Sequence, residues 1–185
     1  MKLGRILYKG KTKKGREILV RYPKKDDTIL LLNYFNTLSK ERTFIRFQGE
    51  ELTLKEEKKY MRDLLKKMKK NRAVKLLAFI GDKLVGVSDI KLQDKVELHV
   101  GVFGITVAKE FRKEGIGKLL MNLAFEEAKK NLKDLRIVKL GVFANNPIAK
   151  IMYEKFGFIV YGNLPEGIKH KGKYINHIYM FKKIH

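Results

Sequence analysis

The alternation of apolar and polar positions along the chain predicts a string of short strands and amphipathic helices. Arg16–Tyr22 alternates and predicts a first strand. Asp26 stands ahead of Ile29, Leu30, Leu32 and Phe35, which predicts a capped helix running to about Ser39. Thr53–Leu54–Lys55–Glu56 has the spacing of a capping box. The helix that it opens carries Leu54, Met61, Leu64, Leu65 and Met68 on one side. Lys75–Ile80 and Leu84–Lys91 then predict a hairpin turned at Gly81–Asp82–Lys83.

The next stretch, Val96–Val107, changes phase. Its apolar residues fall first at Val96, Leu98, Val100 and Val102, then at Phe103, Ile105 and Val107. Side chains alternate faces along a strand, so a phase change inside one strand requires an extra residue, most simply a bulge near Val102–Gly104. On that reading Glu97, His99, Gly104 and Thr106 share a side, and Gly101 and Gly104 mark a place where something approaches the backbone closely.

A helix follows from about Gly115 to Asn131, with Ile116, Leu119, Leu120, Leu123 and Ala124 as its apolar stripe. Arg136–Phe143 is a further strand and Pro147–Lys155 a further helix. Two final strands, about Phe158–Tyr161 and Ile175–Phe181, flank a polar loop. The element order predicts an α/β fold in one domain spanning residues 1–185: a mixed sheet covered by helices.

Composition narrows the chemistry. With 185 residues and 44% hydrophobic positions, the chain can bury a sizeable core. It has no cysteine, which excludes disulfides, thiolate metal sites and cysteine nucleophiles. His99, His170, His177 and His185 are scattered without metal-ligand spacing, so no metal is expected. No apolar run reaches the roughly 20 residues of a membrane span, and the start lacks a secretory signal, so a cytoplasmic location and no membrane partner are expected. The net charge of +22 favours an anionic partner. The lysines are spread along the chain rather than blocked, which equally fits a generic basic composition.

Two constellations carry chemistry. Arg112–Lys113–Glu114–Gly115–Ile116–Gly117–Lys118 lies between a strand and a helix. A phosphate there meets unpaired backbone N–H groups and the positive end of the helix dipole. Gly115 and Gly117 permit the turn and the close approach, and Arg112, Lys113 and Lys118 add charge. An ordinary tight turn would have the same glycines. The second constellation is Asn145–Asn146–Pro147–Ile148–Ala149 followed by Met152 to Phe158. Asn before Pro starts a helix and Gly157 stops it. Asn146, Ala149 and Tyr153 share one face, and Ile148, Ile151, Met152 and Phe156 form a separate core face. Tyr153 therefore need not belong to the core; the ordinary alternative is a packed aromatic with its hydroxyl at the surface.

In this order and separation, Ile105–Thr106–Val107, Arg-x-x-Gly-x-Gly at Arg112–Gly117, and Asn146-x-x-Ala149-x-x-x-Tyr153-x-x-x-Gly157–Phe158 resemble the GNAT superfamily of N-acetyltransferases. The likeness is strongest from about His99 to Tyr161. A stretch from Leu38–Ser39 to Arg46–Phe47 resembles a segment of some protein-acetylating members. The resemblance implies a mostly antiparallel central sheet with splayed fourth and fifth strands and helices on both faces. It also implies acetyl-CoA as cosubstrate. Ile105, Thr106 and Val107 would pair with its pantetheine arm, Arg112 to Lys118, with Glu114 and Ile116 among them, would hold its pyrophosphate, and Ala149 would lie beside it. Asn146 would bind near the pantetheine or a water, and Tyr153 would protonate the leaving thiolate. The Val107 N–H would stabilise the oxyanion. A glutamate frequent late in the bulged strand of relatives is replaced here, with Val102 or Gly104 at the matching places. That leaves His99, Glu97 or a water chain to take the amine's proton.

The partners that follow are acetyl-CoA and a primary amine: a protein N-terminus, a lysine or a small amine. The positive charge disfavours polyamines and tilts the reading towards a peptide or protein. Weak non-specific nucleic-acid binding and a homodimer are compatible with the sequence. A competing class is a catalytically silent module of this fold that contacts RNA or the ribosome through its basic surface.

Overall fold

The computed structural model describes residues 1–184; the expectation that included His185 lies outside them. One eight-stranded sheet has the order β1-β2-β3-β4-β5-β6-β8-β7. The strands are β1 (Ile6–Lys11), β2 (Glu17–Arg21), β3 (Ala73–Ile80), β4 (Lys83–Leu92), β5 (Val100–Val107), β6 (Ile137–Phe143), β7 (Ile159–His170) and β8 (Lys173–Lys183). The helices are α1 (Thr28–Lys40), α2 (Leu54–Lys69), α3 (Ile116–Asn131) and α4 (Pro147–Lys155). Among the described residues only β5 and β6 pair in parallel. The expected mixed, mostly antiparallel sheet is therefore present, and its diverging strands count as fifth and sixth because β1 precedes the expected first strand.

Local chemistry explains most of these elements. The Thr53–Glu56 capping box forms, with the Thr53 N–H donating to Glu56 Oε2 at 2.8 Å and the Glu56 N–H to Thr53 Oγ1 at 3.3 Å. Met61, Leu64 and Met68 are buried beneath it, whereas Leu54 stays exposed. The first helix differs from expectation. Asp27, not Asp26, stands at its N-cap, and the Asp27 carboxylate accepts two bonds from the Arg21 guanidinium, both at 2.7 Å. Its buried face is Leu31, Tyr34 and Leu38, with Ile29 and Leu30 turned to solvent. The strand β1 is illegible in the sequence because it is an edge strand whose burial follows no strict alternation. The expected polar loop near the end is a long extension of the β7–β8 hairpin, exposed along β7, so no core-facing period marks it.

The expected bulge in the phase-changing strand is absent. Pairing of β4 with β5 runs in unbroken register from Gly86↔Val107 to Leu92↔Gly101. The phase changes because Val96 and Leu98 are outside the strand. Lys95 takes a left-handed φ of 56° within a single 3-10 turn, Lys95–Glu97, that turns the chain, and both apolar residues are exposed. The divergence instead arises between β5 and β6, whose pairing stops at Val102↔Lys139. Beyond it, β5 stays with β4 as far as Val107 and β6 stays with β8 as far as Phe143↔His177, so each follows the twist of its own outer partner.

Helices cover both faces. On one, Phe103 packs against Phe125 of α3 and Phe158, and Leu120 of α3 is fully buried. On the other, Tyr34 of α1 donates its hydroxyl to Thr106 Oγ1 at 3.1 Å, and Tyr60 of α2 meets Lys75 of β3. Lys75 is 1% exposed and is neutralised by Asp89 of β4, with Nζ 3.1 Å from Oδ2.

Candidate active site

The gap between β5 and β6 opens a cleft of about 440 Å³. Its walls include Ile105, Thr106 and Val107 of β5, the turn Arg112–Lys113 and Gly115–Lys118, and Asn146, Ala149, Met152 and Tyr153 of α4. Thr43, Phe44 and Ile45, between α1 and α2, close another side. Sequence periodicity gives no signal for these last residues, because that segment has no regular structure.

The backbone of β5 is arranged to bind. The Ala108 N–H donates to the Val85 carbonyl at 2.9 Å, in the register that pairs Gly86 with Val107. Bonding alternates along an antiparallel ladder, so Thr106 also turns its backbone towards β4, while Ile105 and Val107 turn theirs away from it into the gap. Their N–H groups face a stretch where β6 has diverged. An extended polar chain laid there would complete the sheet edge.

At the wide end of the cleft lies the start of α3. Gly115 is its N-cap, with a left-handed φ of 86°, and Lys113 is also left-handed at 64°. The first helical bond runs from the Leu119 N–H to the Gly115 carbonyl at 3.0 Å, which leaves the N–H groups of the preceding turn for another acceptor. A Cβ on Gly117 would stand 3.8 Å from Met152 Sδ and 3.9 Å from Ile105 Cδ1, so it would enter the cleft rather than strike the protein. The missing side chain keeps that cradle open.

Two residues of this turn act differently from expectation. The Glu114 side chain faces away from the cleft and is buried. It accepts the Thr12 hydroxyl at 2.9 Å and lies 3.8 Å from Lys14 Nζ and 3.7 Å from Arg16 Nε. It anchors the turn to the β1–β2 hairpin, which also spares a phosphate the repulsion of a carboxylate. Arg112 is engaged within the protein: Nε donates to the Val107 carbonyl at 2.9 Å and a terminal nitrogen to Glu41 Oε2 at 2.6 Å. It ties the end of α1 to the end of β5, so of the three cations of the turn that line the cleft Arg112 is already engaged, unlike Lys113 and Lys118.

The helix α4 starts as its sequence implies, with Asn146 Oδ1 accepting from the Ala149 N–H at 3.2 Å. Its faces are reassigned. Ile148 and Ile151 are exposed, while Tyr153 is its buried residue at 8% exposure, edge-on to Phe103 at 6.2 Å between ring centres. The α4 axis lies so that the Asn146–Ala149–Tyr153 face, rather than the more apolar one, meets the sheet and the cleft. Burial alone pushes the Tyr153 phenol up to about 12. It therefore remains protonated at neutral pH and can donate.

The expected base candidates lie elsewhere. Glu97 is in the exposed turn before β5, its carboxylate 3.2 Å from Lys139 Nζ. His99 precedes Val100 at the opposite end of β5 from Ile105–Val107, and its backbone carbonyl accepts the Arg136 N–H at 2.8 Å. Neither lines the cleft, and with Glu97 outside the strand, the two do not share a strand face with Thr106. No group of three or more His, Asp or Glu residues suited to a metal is found among the described residues.

The sequence model of the acetyltransferase (GNAT) family matches residues 36–158, which contain the whole cleft. The chain belongs to this family. Relatives by sequence include an L-amino acid N-acetyltransferase of Escherichia coli, 32% identical over 57% of this chain and 65% of its own length. Another is the catalytic subunit of the N-terminal acetyltransferase B complex of Arabidopsis thaliana, 35% identical over 44% of this chain and 47% of its own. The chain thus spans about half to two thirds of the length of these curated relatives. Among solved structures, a GNAT acetyltransferase from Streptococcus pneumoniae superposes with a TM-score of 0.83 at 28% identity, covering 91% of this chain and all 100% of that one. A Salmonella typhimurium acetyltransferase structure carrying acetyl-CoA superposes at 0.77 with 12% identity over 91% and 94% of the two chains, a likeness of fold.

Proposed function

We propose that this chain transfers the acetyl group of acetyl-CoA to a primary amine by direct attack of the amine on the thioester. One observation carries the reading: a single cleft joins the open turn at Gly115–Lys118, the outward N–H groups of Ile105 and Val107, and the protonated phenol of Tyr153. The pyrophosphate takes the free N–H groups at the start of α3, with Lys113 and Lys118 supplying charge. The pantetheine arm lies along β5 as an added strand, with Ala149 beside it. Ile105 or Val107 offers its N–H to the thioester oxygen as negative charge develops there. Tyr153 gives its proton to the departing thiolate, and Asn146 holds the neighbouring turn.

The acceptor is a protein N-terminus, a lysine side chain or a small amine, with a peptide favoured. Support comes from Phe44, half exposed on the cleft wall, and from Leu164, exposed on the β7–β8 hairpin that packs against the same segment through His170. The relatives point to both small and N-terminal acceptors, since their names include amino-acid and N-terminal acetyltransferases.

Gly117→Asp tests the cofactor half. A carboxylate in the cradle repels phosphate and fills the space. Calorimetry on the folded variant should show acetyl-CoA affinity lower by at least tenfold, about 1.4 kcal/mol. Undiminished binding would remove the phosphate from this turn. Thiol release against free amino acids, peptides with free N-termini and lysine peptides identifies the acceptor.

A further inference from the structure

The acceptor's amine arrives protonated, and Glu97 and His99 lie ahead of β5, at the far end from Ile105–Val107 and away from where the amine would meet the thioester. The gap between β5 and β6 supplies another group. After the last paired residues, Val102 and Lys139, the next residues on the same face of the two strands are Gly104 and Gly141. Both are exposed, so the face opposite α3 and α4 opens onto the gap between two glycines. Beside each bare position stands a titratable side chain from the strand outside it. A Cβ on Gly104 would meet Asp89 Oδ1 of β4 at 3.4 Å. The space of a Cβ on Gly141 is taken by the His177 ring of β8, with Nε2 foremost.

We propose that His177 is the general base of the acetyl transfer, its Nε2 taking a proton from the acceptor amine on the face of the gap opposite the acetyl-CoA cradle. This deepens the acetyltransferase reading and rests on it. Gly141 is what admits the ring: any side chain at 141 would displace it. The His177 ring packs against Tyr179 at a tilt of 40°, with ring centres 4.3 Å apart.

The groups facing His177 leave it free to act. In its own strand the neighbour is Tyr179, and across β6 the same face carries Phe143 and Lys139, the latter paired with Glu97. Across β7 its partner is Leu164, with Gly167 against its Cβ and Glu166 in the adjoining irregularity. Burial holds the imidazole below its ordinary value, so it is neutral and basic at pH 7. Asp89 on the opposite rim is unsuited to this role. Burial would raise its carboxyl, but Lys75 and Lys91 hold it low, so it stays a weakly basic anion.

The balance closes. The ammonium loses one proton to His177, which passes it to solvent. The free amine forms the C–N bond as the C–S bond breaks. The thiolate takes a proton from Tyr153, and the second amine proton restores the phenol. The products are the N-acetyl amine and the CoA thiol.

The test is the pH dependence of kcat/KM for wild type and His177→Gln, which keeps a polar side chain of similar length but does not titrate near neutrality. The acceptor is whichever of an alanine-initial peptide, a methionine-initial peptide, an N-terminally blocked lysine peptide or free L-amino acids turns over fastest. Wild type should show a rising limb below the ordinary histidine value of about 6.5, besides that of the amine near 8. The variant should lose the lower limb and be slower by on the order of 10²-fold at pH 7, with an unchanged Kd for acetyl-CoA. A loss that is uniform across pH, or a variant profile that overlays wild type, overturns the assignment. Should the variant not fold, a wild-type profile without the lower limb overturns it equally. A wild type that binds acetyl-CoA yet acetylates none of these amines sinks the acetyltransferase reading as well; one that acetylates with a profile indifferent to His177 sinks this inference alone.

Discussion

Tyr153 is both packed and placed at the cleft, as its proposed role as acid requires. Its ring belongs to the aromatic group of Phe103 and Phe158, and its edge lines the cleft. Tyr153→Phe removes one oxygen and almost no volume. Turnover with saturating acetyl-CoA should fall by on the order of 10²-fold, while acetyl-CoA affinity is kept, because the lost interaction belongs to the transition state. Single-turnover kinetics read the chemical step directly, and a rate within about twofold of wild type would deny Tyr153 the role of acid. Asp89 makes a different prediction. It accepts from the ammonium groups of Lys75 at 3.1 Å and Lys91 at 3.2 Å, and Lys75 has no solvent to turn to. Asp89→Asn should cost about 3 kcal/mol in denaturant unfolding at pH 7, since it leaves buried cationic charge without its partner. The sign of the pH dependence follows from the folded carboxyl being held low: its stabilisation is present above the unfolded value of about 3.9 and is lost as pH falls through the folded one. The variant should therefore lose less stability than wild type on acidification through that window.

At the scale of elements, the cleft depends on attachments that no single motif contains. The turn before α3 is anchored through Glu114 to the β1–β2 hairpin, and the Lys13 N–H reinforces this by donating to the Glu114 carbonyl at 3.0 Å. Glu114→Ala removes no contact with the cofactor. It should nevertheless raise the Kd for acetyl-CoA by roughly threefold to tenfold, because a loosened turn must be ordered on binding at a cost of about 1 kcal/mol. Calorimetry measures this, and an unaltered Kd would show the turn to be rigid by itself. Arg112 plays the corresponding part for α1, and His170 for the segment after it: its ring nitrogens lie 3.1 Å from the Arg42 carbonyl and 3.3 Å from Asn145 Nδ2.

For the molecule as a whole, the charge of +22 is large but distributed. The ion pairs of Arg5 with Glu127, Arg21 with Asp27, and Arg112 with Glu41 are already netted out of that figure. Part of the +22 lies at the cleft, on Lys113 and Lys118, where the proposed pyrophosphate site is. What remains should give nucleic-acid binding that is weak, independent of sequence and steeply reduced by salt. Filter-binding titrations against unrelated duplexes check this; tight, sequence-selective binding at physiological salt would favour an RNA- or ribosome-contacting role instead.

The sequence by itself determined the element order from the second strand onwards, the capping box at Thr53, the glycine turn that opens α3 and the start of α4. Each is written in residues adjacent along the chain, where spacing and backbone preference act locally. It also carried the family, because the two motifs stand in fixed order. Which way those residues face was decided by tertiary structure. Periodicity assigns the core face of α4 to its most apolar residues, yet the sheet and α3 bury Tyr153 and leave Ile148 and Ile151 in solvent. Glu114 and Arg112 look like cofactor ligands from their place in the motif, but their partners, Thr12 and Glu41, are distant in sequence. The phase change near Val102 suggests a bulge, whereas the gap comes from β5 and β6 following different outer partners, a property of the assembled sheet. For the same reason the glycines at 104 and 141 gain meaning only once β5 and β6 lie side by side, and His177 reaches the gap only because β8 folds back beside β6.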